Sequence, residues 1–496
     1  MAAIRVSPDR IRTENDAPVV EKGEYVLCWL AGSRRVRHNP AVQRAVVLAE
    51  GLGKPLLVFE GLRVGYRWAS DRFHTFVLEG MADNARRCET AGVRYYPWVE
   101  REAGQGKGLL AALGKQACAV VTDDYPAFFL PRARRAAAEQ VDCRFEAIDA
   151  NGLLPMRVAD KTFARAHDFR RFLQKQLGPF LESDAFPVAD PLDAHEASGR
   201  AEIPPAVLEK WPAATPTELE DPDFVASLPI DHSVKAVAAL RGGTTAAEAA
   251  WAAFESEGLA RYADGRNHPD DGGSSGLSPW LHFGHTSPFH VFERIVAREK
   301  WTPDALGKPT GKREGWWGMS AAAEAFLDEL VTWREVGFNM AHRDPEYDAF
   351  HRLPGWAKIT LSEHGDDPRP TTYTLEQLER AQTHDEIWNA AQRQLVAEGR
   401  MHNYLRMLWG KKVLEWSATP REAAERLIEL NNKYAIDGRD PSSYSGIYWI
   451  FGRYDRAWGP ERPIYGKVRY MTSDSTRKKL RMSRYLDRWG PTAALL

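Results

Sequence analysis

The sequence predicts an α/β protein with a doubly wound, parallel-sheet (Rossmann-like) N-terminal domain and a C-terminal domain that is helical throughout. Two observations predict this arrangement. Short apolar runs alternate with helical patterns through the first 150 residues or so, as expected for buried parallel strands covered by helices. From about residue 244 the apolar residues recur at helical spacing nearly to the end of the chain.

Five apolar runs are the predicted strands of the sheet. They are YVLCWL (25–30), PLLVFE (55–60), VRYYPWV (93–99), ACAVVTD (117–123) and RFEAIDA (144–150). Segments between them, such as AVQRAVVLAEGLG, have the spacing of crossover helices. The first strand is followed by AGSRRVRHNP and not by GxGxxG, so we do not expect a standard dinucleotide site at that turn.

The composition changes between the two predicted domains. Residues 161–243 hold a short basic helix and then runs rich in Pro, Asp and Ala, which are typical of a connector on the surface. We therefore predict an N-terminal domain at 1–160, a linker at 161–243 and a helical catalytic domain at 244–496.

Composition and charge indicate a globular protein of the cytoplasm. The 496 residues carry a formal net charge of −2, and 44% of them are hydrophobic. No apolar run is long enough to cross a membrane, the first 20 residues show no apolar leader, and the four cysteines form no CxxC pair. The 17 tryptophans are unusually many for this length.

Two of these tryptophans lie seven residues apart in MHNYLRMLWGKKVLEW (401–416). On a helix Trp409 and Trp416 share one face, with His402 one heptad earlier. One interpretation is a core stripe that ends in a polar histidine. The other is a row of oxidisable rings, completed by Trp388 on the preceding helix, that carries an electron; it requires a redox cofactor at one end and a solvent-facing ring at the other.

Two polar loops in the C-terminal half have two interpretations each. Hydroxyls and backbone N–H groups in SSGLSP (274–279) suit a phosphate, although a loop that caps a helix has the same composition. In NNKYAIDGRDPSSYSG (431–446), an amide and several carboxylates could bind a polar heterocycle, and Arg406 could pair with one of the aspartates. Asp-Gly and Asp-Pro also form ordinary turns.

Two further patterns could contact nucleic acid. Glu329 and Trp333 lie one helical turn apart in DELVTWRE, where an acid beside an aromatic ring could hold a base, or could belong to an amphipathic surface. Basic residues between 467 and 488 could contact phosphates or form a solvated surface.

Taken in order, the motifs resemble one family. SGLSPWLHFG, DELVTWRE, THDEIWNAAQ, EGRMHNYLRMLWGKKVLEW, LNNKYAIDGRDP and AWGPERPIYGKVRYM are similar to the successive signatures of class II cyclobutane pyrimidine dimer (CPD) photolyases. The resemblance is strong over residues 244–470 and loose before them. It implies a helical domain that binds FAD, active as FADH⁻, and a lyase that uses light to repair dimers flipped out of UV-damaged duplex DNA, as photolyases do. It leaves open an antenna chromophore, for which a deazaflavin is the expected kind.

The resemblance assigns roles to residues of these motifs. Trp409 would lie nearest the flavin, followed by Trp388 and then Trp416, in a path that photoreduces the cofactor. Glu329 would hydrogen-bond the dimer and stabilise its radical anion, and Asn431 would face flavin N5. The implied cofactor-binding residues are Tyr262, Ser274, Ser275, Gly276, Leu277, Ser278, Arg334, Arg406, Asn431, Asp437, Gly438 and Asp440. The implied substrate-binding residues are Trp333, Met407, Trp449 and Glu329.

The sequence departs from the family pattern in several places. His285 stands where Gln is usual, and Ser442 and Ser443 stand where Asn-Gly is usual; the turn YWIFGRYDRAW also differs. We expect these departures to affect lesion affinity and not to touch Glu329, Asn431 or the three tryptophans.

Other functions remain as alternatives. A cryptochrome-like photoreceptor would keep FAD and the tryptophans without a lesion pocket. Repair of (6-4) photoproducts would call for a histidine pair that the matching motifs lack. A structural nucleic-acid-binding protein would bind no cofactor. We expect a monomer that needs neither a metal nor a membrane.

Overall fold

The computed structural model describes residues 5–182, 185–196 and 199–491. The chain forms two compact units, each built from separate segments. The first comprises Met1–Ala159, Gln176–Trp251 and Leu277–Asp304, and the second comprises Asp160–Lys175, Ala252–Gly276 and Ala305–Leu496. The segment predicted as a linker contributes to both units, and the boundaries at 160 and 243 stay a prediction. Residues 1–4 and 492–496, at the ends of the predicted domains, lie outside the described residues.

The first unit contains a six-stranded sheet. The strands are β1 (Ile11–Thr13), β2 (Tyr25–Leu30), β3 (Leu56–Leu62), β4 (Arg94–Val99), β5 (Ala117–Asp123) and β6 (Arg144–Ile148). They are arranged in the order β1-β6-β5-β2-β3-β4. All neighbours are parallel except β1 and β6. The five predicted strands are confirmed as β2 to β6, with small shifts at their ends. The edge strand β1 was not predicted, because three residues are too short to show a period.

The sheet reverses its order of strand addition between β2 and β5, the position where doubly wound proteins bind ligands. Here a carboxylate of the protein itself accepts hydrogen bonds from the backbone N–H groups that follow β2. Asp123, at the end of β5, accepts hydrogen bonds from the N–H of Ala31 at 2.9 Å and of Gly32 at 2.9 Å. This agrees with the missing GxGxxG motif, because an anionic phosphate would meet the Asp123 side chain there.

Helices make up most of the remaining structure. The α-helices are α1 (Pro40–Leu52), α2 (Asp71–Thr90), α3 (Leu109–Gly114), α4 (Leu130–Ala138), α5 (Ala166–Gln176), α6 (Pro205–Lys210), α7 (Pro222–Ala226), α8 (Thr244–Ala253), α9 (Tyr262–Gly265), α10 (Ser278–His282), α11 (Pro288–Glu299), α12 (Ala321–Leu327), α13 (Arg334–Arg343), α14 (Gly355–Glu363), α15 (Leu375–Glu379), α16 (Glu386–Glu398), α17 (Asn403–Trp416), α18 (Pro420–Tyr434), α19 (Pro441–Ile450), α20 (Ser473–Lys479) and α21 (Ser483–Trp489). Within the described ranges, none of the helices is long and apolar enough to span a membrane.

The core of the second unit is built around α16, α17 and α18. Local signals define these helices: Asp385 caps α16 by accepting from the N–H of Trp388, and Gly399 ends it with a φ of 64°. Thr419 caps α18, with Pro420 at its first position. Apolar residues of the three helices are buried together, among them Leu408 and Leu427, each 0% exposed.

A π-helical segment, Asp328–Trp333, joins α12 to α13. Such segments insert one residue into a helix and are frequent at functional sites. This segment contains both Glu329 and Trp333, so two of the four predicted substrate residues lie on the irregular part of an otherwise regular helix.

Candidate functional site

Three tryptophans form a continuous row in the second unit. The ring of Trp388 on α16 stacks on that of Trp409 on α17, with centroids 6.3 Å apart and planes 8° apart. Trp388 also meets Trp416 at 5.5 Å and 68°. The indole N–H of Trp388 donates to the carbonyl of Trp409 at 3.0 Å, which fixes the central ring. The rings therefore occur in the order 409, 388, 416, and each neighbouring pair is in van der Waals range.

The outer end of the row is covered by two side chains. Trp416, the predicted outer tryptophan, is only 2% exposed, so it is not itself the solvent-facing ring that the electron-path interpretation requires. Its ring contacts Tyr373 at 5.2 Å and His384 at 5.4 Å, and the Tyr373 hydroxyl is hydrogen-bonded to His384 Nδ1 at 2.6 Å. His384 is exposed. The row thus reaches solvent through Tyr373 and His384.

The inner ring is held by a residue that sequence reasoning missed. The indole N–H of Trp409 donates to Oε1 of Gln392 at 3.0 Å, and Gln392 is 0% exposed. Gln392 lies one turn after Trp388 on α16, so its spacing was the signal that could have identified it. A buried amide that pairs with a buried indole stabilises one orientation of Trp409.

Arg406 and Asp437 form the predicted ion pair. Nη2 of Arg406 lies 3.0 Å from Oδ1 of Asp437. Asp437 belongs to the loop after α18, and Gly438 allows that loop to pack against the helix end. A Cβ at Gly438 would lie 2.9 Å from the carbonyl oxygens of Ala435 and Asn431. The glycine is therefore required by close approach of the backbone.

Asn431 lies on α18 and is 3% exposed. Its side-chain N–H group donates to the Ser443 hydroxyl at 2.8 Å and to Oδ1 of Asn432 at 3.2 Å. The expectation that the departures from the family pattern do not touch Asn431 is therefore wrong, since Ser443 is one of them. Asp440 caps α19 by accepting from the N–H of Ser442 at 2.8 Å, which is the turn interpretation of this carboxylate.

Glu329 is hydrogen-bonded to the guanidinium of Arg266. Arg266 also has its guanidinium 5.5 Å from the ring of Tyr262, which is itself buried. Burial raises the pKa of Glu329, and Arg266 opposes that rise. Arg266 was missed by the sequence reasoning, although it follows Tyr262 by one helical turn.

The predicted substrate residues are partly accessible. Trp333, Met407 and Trp449 are all intermediate in burial. Two cations face the ring of Trp449: Nζ of Lys411 lies 5.1 Å and the guanidinium carbon of Arg469 lies 5.3 Å from its centroid. Contacts of this kind hold an aromatic side chain in one orientation while leaving the rest of its surface open.

The serine–glycine loop divides between the two units. Ser274 is exposed, Ser275 is half-buried and Gly276 has a φ of 65°, all in the second unit. Leu277 and Ser278 belong to the first unit, where α10 begins at Ser278. The loop does precede a helix, as predicted.

Arg334, another predicted cofactor-binding residue, is buried on α13, with its guanidinium 4.3 Å from the Phe338 ring.

Two other predicted features are explained by local partners. The basic residues near the C-terminus are mostly paired: Arg469 with Asp455, Arg477 with Glu386, Arg481 with Asp271 and Arg488 with Glu398. This reduces the positive charge that is left to contact phosphates.

His285 lies in the core of the first unit, where Nδ1 accepts from the N–H of Gly243 at 2.9 Å and burial lowers the pKa of the imidazole to about 3.

The residues of the second unit fit a flavin. The Arg406–Asp437 pair offers a cationic donor next to anionic acceptors, and the buried Asn431 amide, whose N–H groups bond to Ser443 and Asn432, adds a carbonyl oxygen as an acceptor. Polar heterocycles with both donors and acceptors on their edges are bound by such sets. The tryptophan row begins on α17, three residues after Arg406, so a redox-active ring bound there would have an oxidisable neighbour.

Two solved structures have a fold similar to that of this chain. The structure resembles a class III photolyase from Agrobacterium tumefaciens, with a TM-score of 0.68 and 17% identity, over 94% of this chain and 86% of that one. It also resembles a Synechocystis cryptochrome, with a TM-score of 0.64 and 16% identity, over 94% and 88% of the two chains. The fold is that of photolyases and cryptochromes. No protein-family model matches the chain.

Sequence similarity then places the chain within this class. It is 34% identical to the deoxyribodipyrimidine photo-lyase of Methanothermobacter thermautotrophicus, over 97% of this chain and 98% of that protein. Identity is 31% to the enzyme of the same name from Potorous tridactylus, over 97% and 84% of the two chains, and 33% to that of Oryza sativa, over 94% and 87%. The chain belongs to the deoxyribodipyrimidine photo-lyase family.

Proposed function

We propose that the protein is a class II photolyase that repairs cyclobutane pyrimidine dimers in UV-damaged duplex DNA. The observation that carries the proposal is that Glu329, Trp333, Met407 and Trp449 are all partly accessible, which a photoreceptor without a lesion pocket would not require. The tryptophan row supports the flavin chemistry. Trp409, Trp388 and Trp416 follow one another at 6.3 Å and 5.5 Å, and the row starts beside the Arg406–Asp437 pair. FAD, when bound, reduced and excited by light, would supply the electron that splits the dimer.

We propose that polar groups of the second unit orient the flavin ring. The guanidinium of Arg406 is held by Asp437 at 3.0 Å, so it can donate to a carbonyl oxygen from a fixed position. Asn431 would present its amide to N5, held by its bond to Ser443. The remaining cofactor-binding residues are proposed to be Tyr262, Ser274, Ser275, Gly276, Leu277, Ser278, Arg334, Gly438 and Asp440.

The π-helical segment would carry the residues that contact the dimer. Burial raises the pKa of Glu329, with Arg266 opposing the rise, and a carboxyl that takes up a proton there can donate to a pyrimidine carbonyl. A donor aimed at the oxygen where negative charge develops stabilises the transition state. Trp333 and Trp449 would flank the flipped dimer, with Met407 packed against it. Arg266 keeps the carboxyl of Glu329 in place.

An antenna chromophore of the deazaflavin type remains a further proposal for the first unit. Its test is the absorption spectrum of the protein after expression in a host that makes deazaflavins. A band beyond those of FAD, present in stoichiometric amount, would support it. A spectrum that FAD alone accounts for would contradict it.

The test of the main proposal is a light-dependent repair assay. The purified protein is reduced in the dark without oxygen and then illuminated in blue light with an oligonucleotide that contains one thymine dimer. We expect the thymine absorbance to recover only in the light. A yellow, photoreducible protein that leaves the dimer intact would indicate a photoreceptor, and a colourless protein would contradict flavin binding.

A further inference from the structure

A cluster of two histidines and one glutamate lies in the first unit, and the proposed function uses none of its members. His38 lies in the turn between β2 and α1, whereas His290 and Glu293 lie one turn apart on α11. One ring nitrogen of each histidine and one carboxylate oxygen all lie within 4.8 Å of one another. Three donors from two separate elements thus converge on one point.

The backbone of His38 has a positive φ and is fixed by hydrogen bonds on both sides. Its φ is 44°, in the left-handed region. Its N–H donates to the carbonyl of Ala189 at 2.9 Å, and its own carbonyl accepts from Arg35 at 3.2 Å. The next residue, Asn39, caps α1. These hydrogen bonds and the start of α1 therefore fix the position from which the His38 side chain extends.

The side chain of His38 directs one ring nitrogen toward Glu293. This Nδ1 atom is buried, and in a protonated imidazole it would form an ion pair with the Glu293 carboxylate, whereas in a neutral imidazole it can coordinate a metal ion. Nδ1 lies 3.3 Å from Oε2 of Glu293, which is also the spacing of about 3.3 Å between two ligand atoms of a tetrahedral ion with bonds near 2.0 Å. The ring of His290 completes the group, with its centroid 4.6 Å from that of His38.

We propose that His38, His290 and Glu293 bind one divalent transition-metal ion, with Zn²⁺ as the best match. Two imidazoles and one carboxylate are a frequent ligand set for Zn²⁺, and they leave a fourth position for water. Mg²⁺ and Ca²⁺ prefer sites made of oxygen atoms, which this cluster does not provide. The bound ion would tie the turn after β2 to α11.

The charges around the cluster oppose a cation, so the ligand atoms must supply the binding energy. Arg35, Arg37 and Arg294 lie close enough to act on His290. Arg37 is offset by Asp190 at 3.2 Å and Glu248 at 3.3 Å. The remaining positive charge opposes a cation held by charge alone. The same positive charge opposes a transition-metal ion less effectively, because coordinate bonds from two neutral imidazoles contribute to its binding.

A second histidine with two acidic neighbours provides a matched control. His364 contacts Asp367 through Nδ1 at 2.6 Å and Glu461 through Nε2 at 3.2 Å. Because its two ring nitrogens point in opposite directions, these three residues do not converge on one ion. His364→Ala therefore removes a histidine of similar surroundings without affecting the proposed site.

The experiment measures zinc binding by the full chain, with its affinity tag removed and after treatment with a chelator. Isothermal titration with ZnCl₂ gives stoichiometry and affinity, MgCl₂ serves as the comparison ion, and melting temperatures are recorded with and without Zn²⁺. The variants are Glu293→Gln, His290→Ala and His38→Asn, because asparagine tolerates the left-handed backbone. Glu293 is 37% exposed, so its replacement leaves the core intact even if a histidine variant fails to fold.

We expect one Zn²⁺ per chain, an affinity at least about tenfold weaker in Glu293→Gln, and no change in His364→Ala. Zinc should raise the melting temperature of the wild type and not that of Glu293→Gln. No zinc binding by the wild type, or equal binding by wild type and Glu293→Gln, would overturn the proposal. Neither result depends on repair activity, so this test is independent of the proposed function.

Discussion

The side-chain N–H group of Asn431 donates a hydrogen bond of 2.8 Å to the hydroxyl of Ser443. Asn431 is buried on α18, and Ser443 lies in the first turn of α19. Ser443 is also a position where the sequence departs from the family pattern. A departure expected to affect the lesion thus contacts the residue proposed to face the flavin.

Replacing Ser443 with glycine removes this contact. A neutral hydrogen bond contributes about 1 kcal/mol, so we expect air to reoxidise the reduced flavin roughly fivefold faster, with little change in dimer repair. The measurement is stopped-flow absorbance after mixing the reduced protein with oxygen. Ser445→Ala is the control, because this serine lies on the same helix and its hydroxyl donates to the carbonyl of Ser442 at 2.9 Å. Equal reoxidation rates in Ser443→Gly and wild type would show that Ser443 does not influence the cofactor.

Replacing Trp409 with phenylalanine should interrupt the tryptophan row at its inner end. Phenylalanine is far harder to oxidise, so we expect photoreduction of the oxidised flavin to fall by roughly tenfold or more. Repair by chemically reduced protein should remain. The control is Trp458→Phe, since that indole pairs with Asp455 outside the row. Photoreduction at the wild-type rate in Trp409→Phe would refute the path.

Replacing Glu329 with alanine should lower the repair rate about a hundredfold, the usual cost of losing one donor at a developing negative charge. Flavin binding should be retained, as judged by the ratio of flavin to protein absorbance. Repair at the normal rate would rule out the role assigned to Glu329.

Replacing Arg266 with glutamine should change the pH dependence of repair. Burial raises the pKa of Glu329, whereas the neighbouring guanidinium of Arg266 lowers it. Without that cation the pKa of Glu329 rises further, so the protonated form persists to higher pH. We expect the alkaline limb of the repair rate, at saturating DNA, to move upward in pH. A limb that moves downward or stays in place would contradict the proposed need for a protonated Glu329.

Lys411 should make stability depend on pH. It is 0% exposed, its Nζ donates to the carbonyl of Ile450 at 2.6 Å, and burial lowers the pKa of its ammonium group to about 7. Between pH 7 and about 10 the unfolded chain holds a proton that the folded chain has released, so the unfolding free energy rises with pH in this window. Below pH 7 both states are protonated and the burial penalty is complete.

The variant Lys411→Met should therefore gain most, relative to wild type, below pH 7, and it should lose the rise between pH 7 and 10. Urea unfolding at several pH values measures this. Lys358→Met is the control, because Lys358 is exposed but also donates to a carbonyl, that of His351, at 3.1 Å. Parallel pH profiles for wild type and Lys411→Met would contradict a lowered pKa for Lys411.

The sequence by itself determined the elements whose signals are local. Period and apolar runs located β2 to β6, and the seven-residue spacing placed Trp409 and Trp416 on one helix face. Motif order was sufficient to indicate the family. These signals lie within a few residues of one another, so neither the folded chain nor long-range contacts are needed to detect them.

Only the tertiary structure decided which polar groups meet. Arg266 and Glu329 are 63 residues apart in the chain, and Gln392 and Trp409 are 17 apart. The packing of α16 on α17 stacks Trp388 on Trp409, and it buries Trp416, the outer tryptophan of the row. The strand β1 and the convergence of His38 with α11 are likewise contacts between distant segments. Such pairings depend on helix and strand packing, which leaves no periodic trace in the sequence.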